Sequence, residues 1–228
     1  YTGIGTENSE SEPMIRVTSE VGVLRCVLVH RPGPEVDLMV PSMMEDLLFD
    51  DILFGDVARE EHDRMRAVFA LAGVEVLEAE TLLRETLAEA PAATRLKAAL
   101  GDGLPSGLVA RLDAMAGDEL ASLLVRGLRL DPALTGIEAA DLFEVAPLPN
   151  WCFQRDPAIV LGDAVVVSSM ATAARRRVVL IASTVFRFHP RFAWTPIPAG
   201  PTRAGAGSPP SLGLGPPRHV VGGFLVLS

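Results

Sequence analysis

The segment 147–157, PLPNWCFQRDP, concentrates side chains that could bind a small polar ligand. Asp156 offers a carboxylate, which can accept two parallel hydrogen bonds from a planar cation such as a guanidinium group. Asn150 adds an amide to this segment and Phe153 adds an aromatic face. The plainer interpretation of Asp156 is a structural carboxylate that hydrogen-bonds a neighbouring turn.

Arg175 begins a run of three arginines and could supply a positive charge for an anionic ligand group. Such a run is more often a solvated helix face. Cys152 follows Trp151 and could suggest a nucleophile, but a buried, inert thiol is the favoured interpretation, as it is for Cys26.

The remaining residue types predict neither a metal site nor a cofactor. The four histidines show no metal-ligand spacing, and no glycine-rich loop suited to a phosphate stands out. The four histidines are His30, His62, His189 and His219.

Three motifs carry a resemblance to a known family. The segment 147–157 resembles the signature of the arginine deiminases, in which Pro-Asn is followed by Phe and then by Arg-Asp. LLFDD (47–51) matches a motif that this family carries soon after its first strand. ARR (174–176) and FHP (188–190) follow at the family's spacing, so the resemblance covers roughly residues 17–193.

The resemblance implies an α/β fold, namely part of a five-bladed, pentein-type α/β propeller built from ββαβ units with an inserted helical bundle. Residues 16–78 would form the first propeller unit, residues 79–142 the inserted helical domain and residues 143–228 the second unit. Because propeller blades depend on their neighbours for closure, a partial set would be poorly stabilised.

The resemblance also implies a reaction and the residues that serve it. In this family a cysteine thiolate attacks the guanidinium carbon and a histidine acts as general acid and base, so that L-arginine becomes L-citrulline and ammonia. Carried over by position, Asp156 would be the catalytic carboxylate that holds the guanidinium nitrogens, and Arg175 would pair with the substrate carboxylate. Asn150 and Phe153 would shape the pocket, and the backbone of Leu48 would contact the amino-acid end of the substrate.

The chain departs from the family at the second guanidinium carboxylate. The family carries Glu-Gly-Gly-Asp where this chain has VGGF (221–224), and its catalytic histidine and cysteine come later in its chain. We therefore expect an arginine deiminase of cytoplasmic arginine catabolism that is truncated and inactive alone. The alternative is a degenerate, non-catalytic fragment that binds arginine weakly or serves in assembly. The helical insertion and LLFDD count against a dimethylarginine hydrolase or an amidinotransferase.

The elements that must position these residues follow from apolar spacing. The β-branched run Val23–His30 predicts a strand, and Asp56 and Gly73 are placed to begin and end a helix. A second strand is predicted at Val74–Leu77. The order strand, helix, strand fits an α/β layer.

The rest of the chain divides into a helical part and a hairpin. Residues 79–142 are rich in Leu and Ala, and Thr135 with Glu138 has the spacing of a capping box. Residues 158–161 and 164–168 flank Gly162-Asp163, which predicts a hairpin with a tight turn. Residues 1–15 are predicted to be a disordered leader, and residues 194–220, rich in Pro, Gly and Ser, to be poorly ordered.

Composition limits the classes of partner. A chain of 228 residues with 49% hydrophobic residues can bury a core. A net charge of -9 disfavours nucleic acid and anionic membranes, which leaves L-arginine as the predicted small-molecule partner, with a homo-oligomer open. Two cysteines and no long apolar run or export signal indicate a cytoplasmic protein.

Overall fold

The computed structural model describes residues 15–19, 21–47, 49–101, 106–130, 142–170, 173–192, 197–198 and 224–227. These residues form a mixed α/β structure with three small sheets, and no closed barrel occurs within those ranges. Residues 1–14 of the predicted leader, nearly all of 194–220, Leu48 and the Thr135–Glu138 capping box lie outside the described residues, whereas Ile15, the last residue of the predicted leader, is buried in the core.

The first sheet is built on β1 (Cys26–Val29), whose four residues are all buried. β1 pairs in parallel with β2 (Glu75–Glu78) and antiparallel with β8 (Phe224–Val226), so a segment near the end of the sequence joins the first strand. The parallel pairing of β1 and β2 requires a crossover, which runs through α1 (Pro34–Asp37), α2 (Met44–Leu47) and α3 (Gly55–Leu71). The predicted strands are confirmed with slightly different ends.

The predicted start of α3 is wrong by two residues, because Phe54 is its N-cap and Asp56 lies in its first turn. An acidic side chain there still interacts favourably with the positive end of the helix. Gly73 adopts a φ of 75°, the left-handed conformation that glycine supplies after the end of a helix. This part of the prediction is confirmed.

Four helices follow β2, and each contributes buried residues to the main apolar core. They are α4 (Ala79–Ala88), α5 (Ala90–Gly101), α6 (Ser106–Ala114) and α7 (Gly117–Arg126). Two short strands, β3 (Leu128–Arg129) and β4 (Phe143–Val145), form an antiparallel pair after them. Buried leucines of α4 and α7 belong to the same apolar core as residues of β1 and β5.

The third sheet contains the predicted hairpin. β5 (Ala158–Leu161) and β6 (Ala164–Val167) pair antiparallel across Gly162, whose φ is 62°, and β7 (Ile197–Pro198) adds in parallel to β6. α8 (Ala173–Phe188) then packs its apolar face, including Ile181 and Phe186, into the main core. None of the described helices is long and apolar enough to cross a membrane.

Candidate functional site

LLFDD (47–51) and the segment 147–157 are far apart in the chain but make contact in the folded structure. The Asn150 Nδ2 donates a hydrogen bond of 2.7 Å to the backbone carbonyl of Leu47, and the rings of Phe49 and Phe153 lie with centroids 6.0 Å apart. The amide of Asn150 is buried, so this bond is shielded from water. The structure therefore brings Leu47 and Phe49 of LLFDD (47–51) into contact with the segment 147–157.

Asp156 and Arg175 also come together, through an ion pair between Asp156 Oδ2 and Arg175 Nη2. Their side chains are 22% and 16% exposed, so the carboxylate is not turned out to bulk solvent. The Arg175 Cζ lies 6.0 Å from the centre of the Phe153 ring. Of the five predicted site residues, the structure thus groups Asn150, Phe153, Asp156 and Arg175.

Local hydrogen bonds hold the loop that carries these residues. Pro149–Cys152 forms one turn of 3-10 helix, after which the Phe153 amide donates to the Asn150 carbonyl at 3.0 Å and the Asp156 amide to the Phe153 carbonyl at 3.2 Å. The Ser168 hydroxyl donates to the Asp156 carbonyl at 2.5 Å. Because Ser168 follows β6 directly, the hairpin fixes the backbone position of Asp156.

Two polar atoms of this group are buried without a partner among the described residues. They are the Asn150 Oδ1 and the Arg175 Nε. Buried polar atoms in native proteins nearly always find a hydrogen-bond partner, and a ligand can supply one. One atom can accept and the other can donate, which suits a ligand that carries both amino and carboxylate groups.

A buried histidine packs against the loop that contains Asn150 and Asp156. His30 lies directly after β1, with its ring 4.2 Å from that of Trp151 between centroids. Its Nε2 lies 3.0 Å from the Glu35 Oε1 and its Nδ1 lies 3.3 Å from the Glu78 Oε1. Gly33 also donates its backbone amide to the Glu35 Oε1 at 2.6 Å. The 3-10 turn that contains Asn150 and Trp151 therefore packs against an imidazole whose two nitrogens each contact a carboxylate.

These carboxylates decide the charge of His30. Burial lowers the pKa of this imidazole, but the hydrogen bonds and charges of Glu35 and Glu78 outweigh burial and raise its pKa from 6.5 to about 9. Burial acts to raise the pKa of Glu78, yet its bond to His30 leaves that pKa below the usual value. At neutral pH the His30 imidazole is thus protonated, and it lies against the Trp151 ring of the loop.

Sequence reasoning missed His30, Glu35 and Glu78 as a group, although a signal existed. His30 follows β1 and Glu78 ends β2, and neighbouring parallel strands place their carboxyl ends at the same edge of a sheet. No group of three or more His, Cys, Asp or Glu side chains that could hold a metal ion is found among the described residues.

Neither thiol is an activated nucleophile. Burial, followed by the charge of Glu75, raises the pKa of Cys26 to about 12, and burial, followed by the charge of Glu35, raises the pKa of Cys152 to about 12. The Cys152 Sγ also donates to the Pro149 carbonyl at 3.3 Å. Thiolates are the reactive form, so both side chains are held in the unreactive one.

We expect both thiols of the folded chain to react with iodoacetamide at pH 8 about a thousandfold more slowly than the same thiols in urea, since a rise in pKa of about three units lowers the thiolate fraction by that factor. Mass spectrometry of timed samples would measure each site separately. Labelling of either cysteine in the folded chain at the rate seen in urea would contradict the assignment.

Comparisons with known proteins show similarity to one family. The family model for arginine deiminase matches residues 45–100 and 129–204. The arginine deiminase of Rhodococcus opacus (strain B4) is 35% identical over 202 residues, which are 81% of this chain and 50% of that protein. Those of Bacillus cytotoxicus and Limosilactobacillus fermentum are each 34% identical over 78% of this chain and cover 47% and 48% of their own lengths. The chain spans about half the length of the curated relatives it matches.

Proposed function

We propose that this chain, which belongs to the arginine deiminase family, supplies the arginine-binding loop of a hydrolase that converts L-arginine to L-citrulline and ammonia. The observation that carries the proposal is the convergence of Asn150, Phe153, Asp156 and Arg175 around one loop. Two free cysteines suit cytoplasmic arginine catabolism as its setting.

Each residue has a proposed role that follows from its chemistry. Asp156 accepts hydrogen bonds from the guanidinium nitrogens and keeps the positive charge on the substrate, which favours nucleophilic attack at the guanidinium carbon. Arg175 pairs with the substrate carboxylate. Asn150 and Phe153 form walls of the pocket, and the backbone of Leu48 contacts the amino-acid end.

The hydrolysis itself requires a thiolate nucleophile and a general acid and base. We propose that neither Cys26 nor Cys152 takes the nucleophile's part, because both thiols have a pKa of about 12. His30 is also unsuited to proton transfer with the substrate, since both of its ring nitrogens face carboxylates. The residues described here therefore bind and orient the substrate.

The fold that we propose for the complete site is the five-bladed pentein propeller. Under this proposal residues 16–78 and 143–228 belong to propeller units, and residues 79–142 are the helical insertion. The parallel pairing of β1 with β2 and the four helices that follow β2 support the proposal.

A second function is favoured by one feature of the sequence. VGGF (221–224) lacks both acids that the family carries at this point, which would suit a chain that binds arginine without hydrolysing it. Citrulline release distinguishes the two functions. We expect none from the chain as given, because its thiols are not activated, whereas the same loop joined to a relative's remaining segment should be active.

The binding proposal can be tested by calorimetry with L-arginine and L-citrulline. Citrulline carries a neutral urea group in place of the guanidinium, so it cannot form charge-assisted bonds with Asp156. We expect arginine to bind at least about tenfold more tightly, since hydrogen bonds to charged groups contribute roughly 1.5–3 kcal/mol. Equal affinities for the two ligands, or no detectable heat from arginine, would overturn the proposal.

A further inference from the structure

The ion pair in the site joins two residues that the proposed function assigns to opposite ends of the substrate. Asp156 is the partner proposed for a ligand guanidinium, and Arg175 is the partner proposed for a ligand carboxylate. In this structure each engages the other instead. The guanidinium of Arg175 therefore occupies the position at Asp156 that the guanidinium of a ligand would take.

We infer that Arg175 acts as an internal competitor for Asp156, and that the site consequently selects ligands that carry both a guanidinium and a carboxylate. This inference rests on the proposed function. A ligand must release the internal pair at both ends: its guanidinium replaces Arg175 at Asp156, and its carboxylate gives the displaced Arg175 a new partner.

The number of ion pairs in each state gives the selectivity. The free chain has one pair in the site, formed by Asp156 and Arg175. When a guanidine without a carboxylate binds, the site still has one pair, now between the ligand and Asp156. Arg175, whose side chain is only 16% exposed, is then left without a partner for its charge. Leaving a partly buried charge unpaired is unfavourable. An amino acid with a guanidinium group raises the number of pairs to two.

The internal pair is also geometrically incomplete. Its described contact joins one nitrogen, Nη2, to one oxygen, Oδ2, whereas a guanidinium and a carboxylate can form two parallel bonds. The Arg175 Nε is buried and has no partner among the described residues. A free ligand can approach Asp156 without the constraint of the α8 backbone, so it can form both bonds and displace Arg175.

Only the first of the three consecutive arginines is placed to compete. Arg176 is exposed, and the Arg177 Nη2 donates to the Ala146 carbonyl at 2.5 Å. Arg175 lies over the face of Phe153, which supports its flat guanidinium close to Asp156. Arg176 therefore provides a matched control in the same helical turn with the same charge.

The test compares a ligand with one recognition group and a ligand with two. NMR titrations with methylguanidinium chloride and with L-arginine, which follow millimolar affinities, would be run on the wild-type chain, Arg175→Gln and Arg176→Gln. We expect Arg175→Gln to bind methylguanidinium about tenfold more tightly and arginine about tenfold more weakly, the scale of a typical coupling between two sites. Arg176→Gln should match the wild type with both ligands.

The outcomes separate the inference from the function on which it rests. Equal methylguanidinium affinities in the wild type and Arg175→Gln, with arginine still bound, would overturn internal competition and leave the proposed function standing. No binding of either ligand to any variant would overturn both. If Arg175→Gln fails to fold, Arg175→Met removes the charge and keeps a long, flexible side chain, and the same rise in methylguanidinium affinity is expected of it.

Discussion

Replacing Asp156 by asparagine is expected to weaken binding of L-arginine by about 2–3 kcal/mol, or roughly 30- to 150-fold. The substitution keeps the size of the side chain and removes the negative charge that a guanidinium needs. The loss lies at the lower end of the range for buried charge pairs because the Asp156 side chain is 22% exposed. Calorimetry with L-arginine would measure it.

The hairpin provides a matched control for this experiment. Asp163 lies in the exposed turn between β5 and β6, and Asp163→Asn removes one negative charge from the same part of the protein. We expect its arginine affinity to stay within about twofold of the wild type, since charges exposed to water are well screened. If the two variants lost affinity equally, Asp156 would act only through the net charge, and its proposed contact would be wrong.

Replacing His30 by leucine is expected to lower the free energy of unfolding by about 3–5 kcal/mol, because it leaves a buried carboxylate without its cationic partner. Glu35 is 1% exposed, and its Oε2 has no hydrogen-bond partner among the described residues even in the wild type. A side chain introduced at position 33 could not supply the missing partner without a clash, since its Cβ would lie 2.5 Å from the Glu35 Oε2. Urea denaturation at pH 7 would measure the effect.

The pH dependence of stability gives an independent readout for His30. The folded chain keeps this proton up to about pH 9, whereas the unfolded chain releases it near 6.5, so unfolding releases a proton between these values. The stabilisation is complete below about pH 6.5 and is lost as the pH rises toward 9, to a total of about 3 kcal/mol. His30→Leu should lack this loss between pH 6.5 and 7.5, a range in which the thiols, with an unfolded-state pKa of about 8.5, are still almost fully protonated in both states.

His189 is the control for His30 because it makes a comparable contact near the surface. Its Nε2 lies 2.9 Å from the Glu85 Oε2, and the Glu85 side chain is 57% exposed. Water can solvate Glu85 once the histidine is removed, so His189→Leu should cost only about 1 kcal/mol. A stability of His30→Leu equal to that of the wild type would contradict the assignment of His30 as the cationic partner of Glu35.

Turns and short elements were predictable from the sequence because their causes are local. Gly73 and Gly162 have positive φ angles, which glycine adopts without strain, and each marks the end of an element that apolar spacing had already indicated. The start of β1 shifted by three residues, its end by one and the start of α3 by two. Such ends depend on tertiary contacts, so spacing alone sets them loosely.

The residues of the candidate site could be chosen from the sequence, but their mutual arrangement could not. Motif spacing pointed to Asn150, Phe153, Asp156 and Arg175, and it gave no sign that Asp156 and Arg175 would pair with each other. Spacing along the chain also says nothing of the bond from Asn150 to the Leu47 carbonyl, which joins residues 103 positions apart.

The sequence by itself determined which side chains could serve the proposed guanidinium site, because residue type fixes charge, planarity and hydrogen-bonding capacity wherever the chain places it. Only the tertiary structure decided that His30 would lie between Glu35 and Glu78 against the ring of Trp151, and that Arg175 would form an ion pair with Asp156. The physical reason is that burial and the proximity of opposite charges set the ionisation and pairing of these groups, and both depend on how β1, β2 and α8 pack.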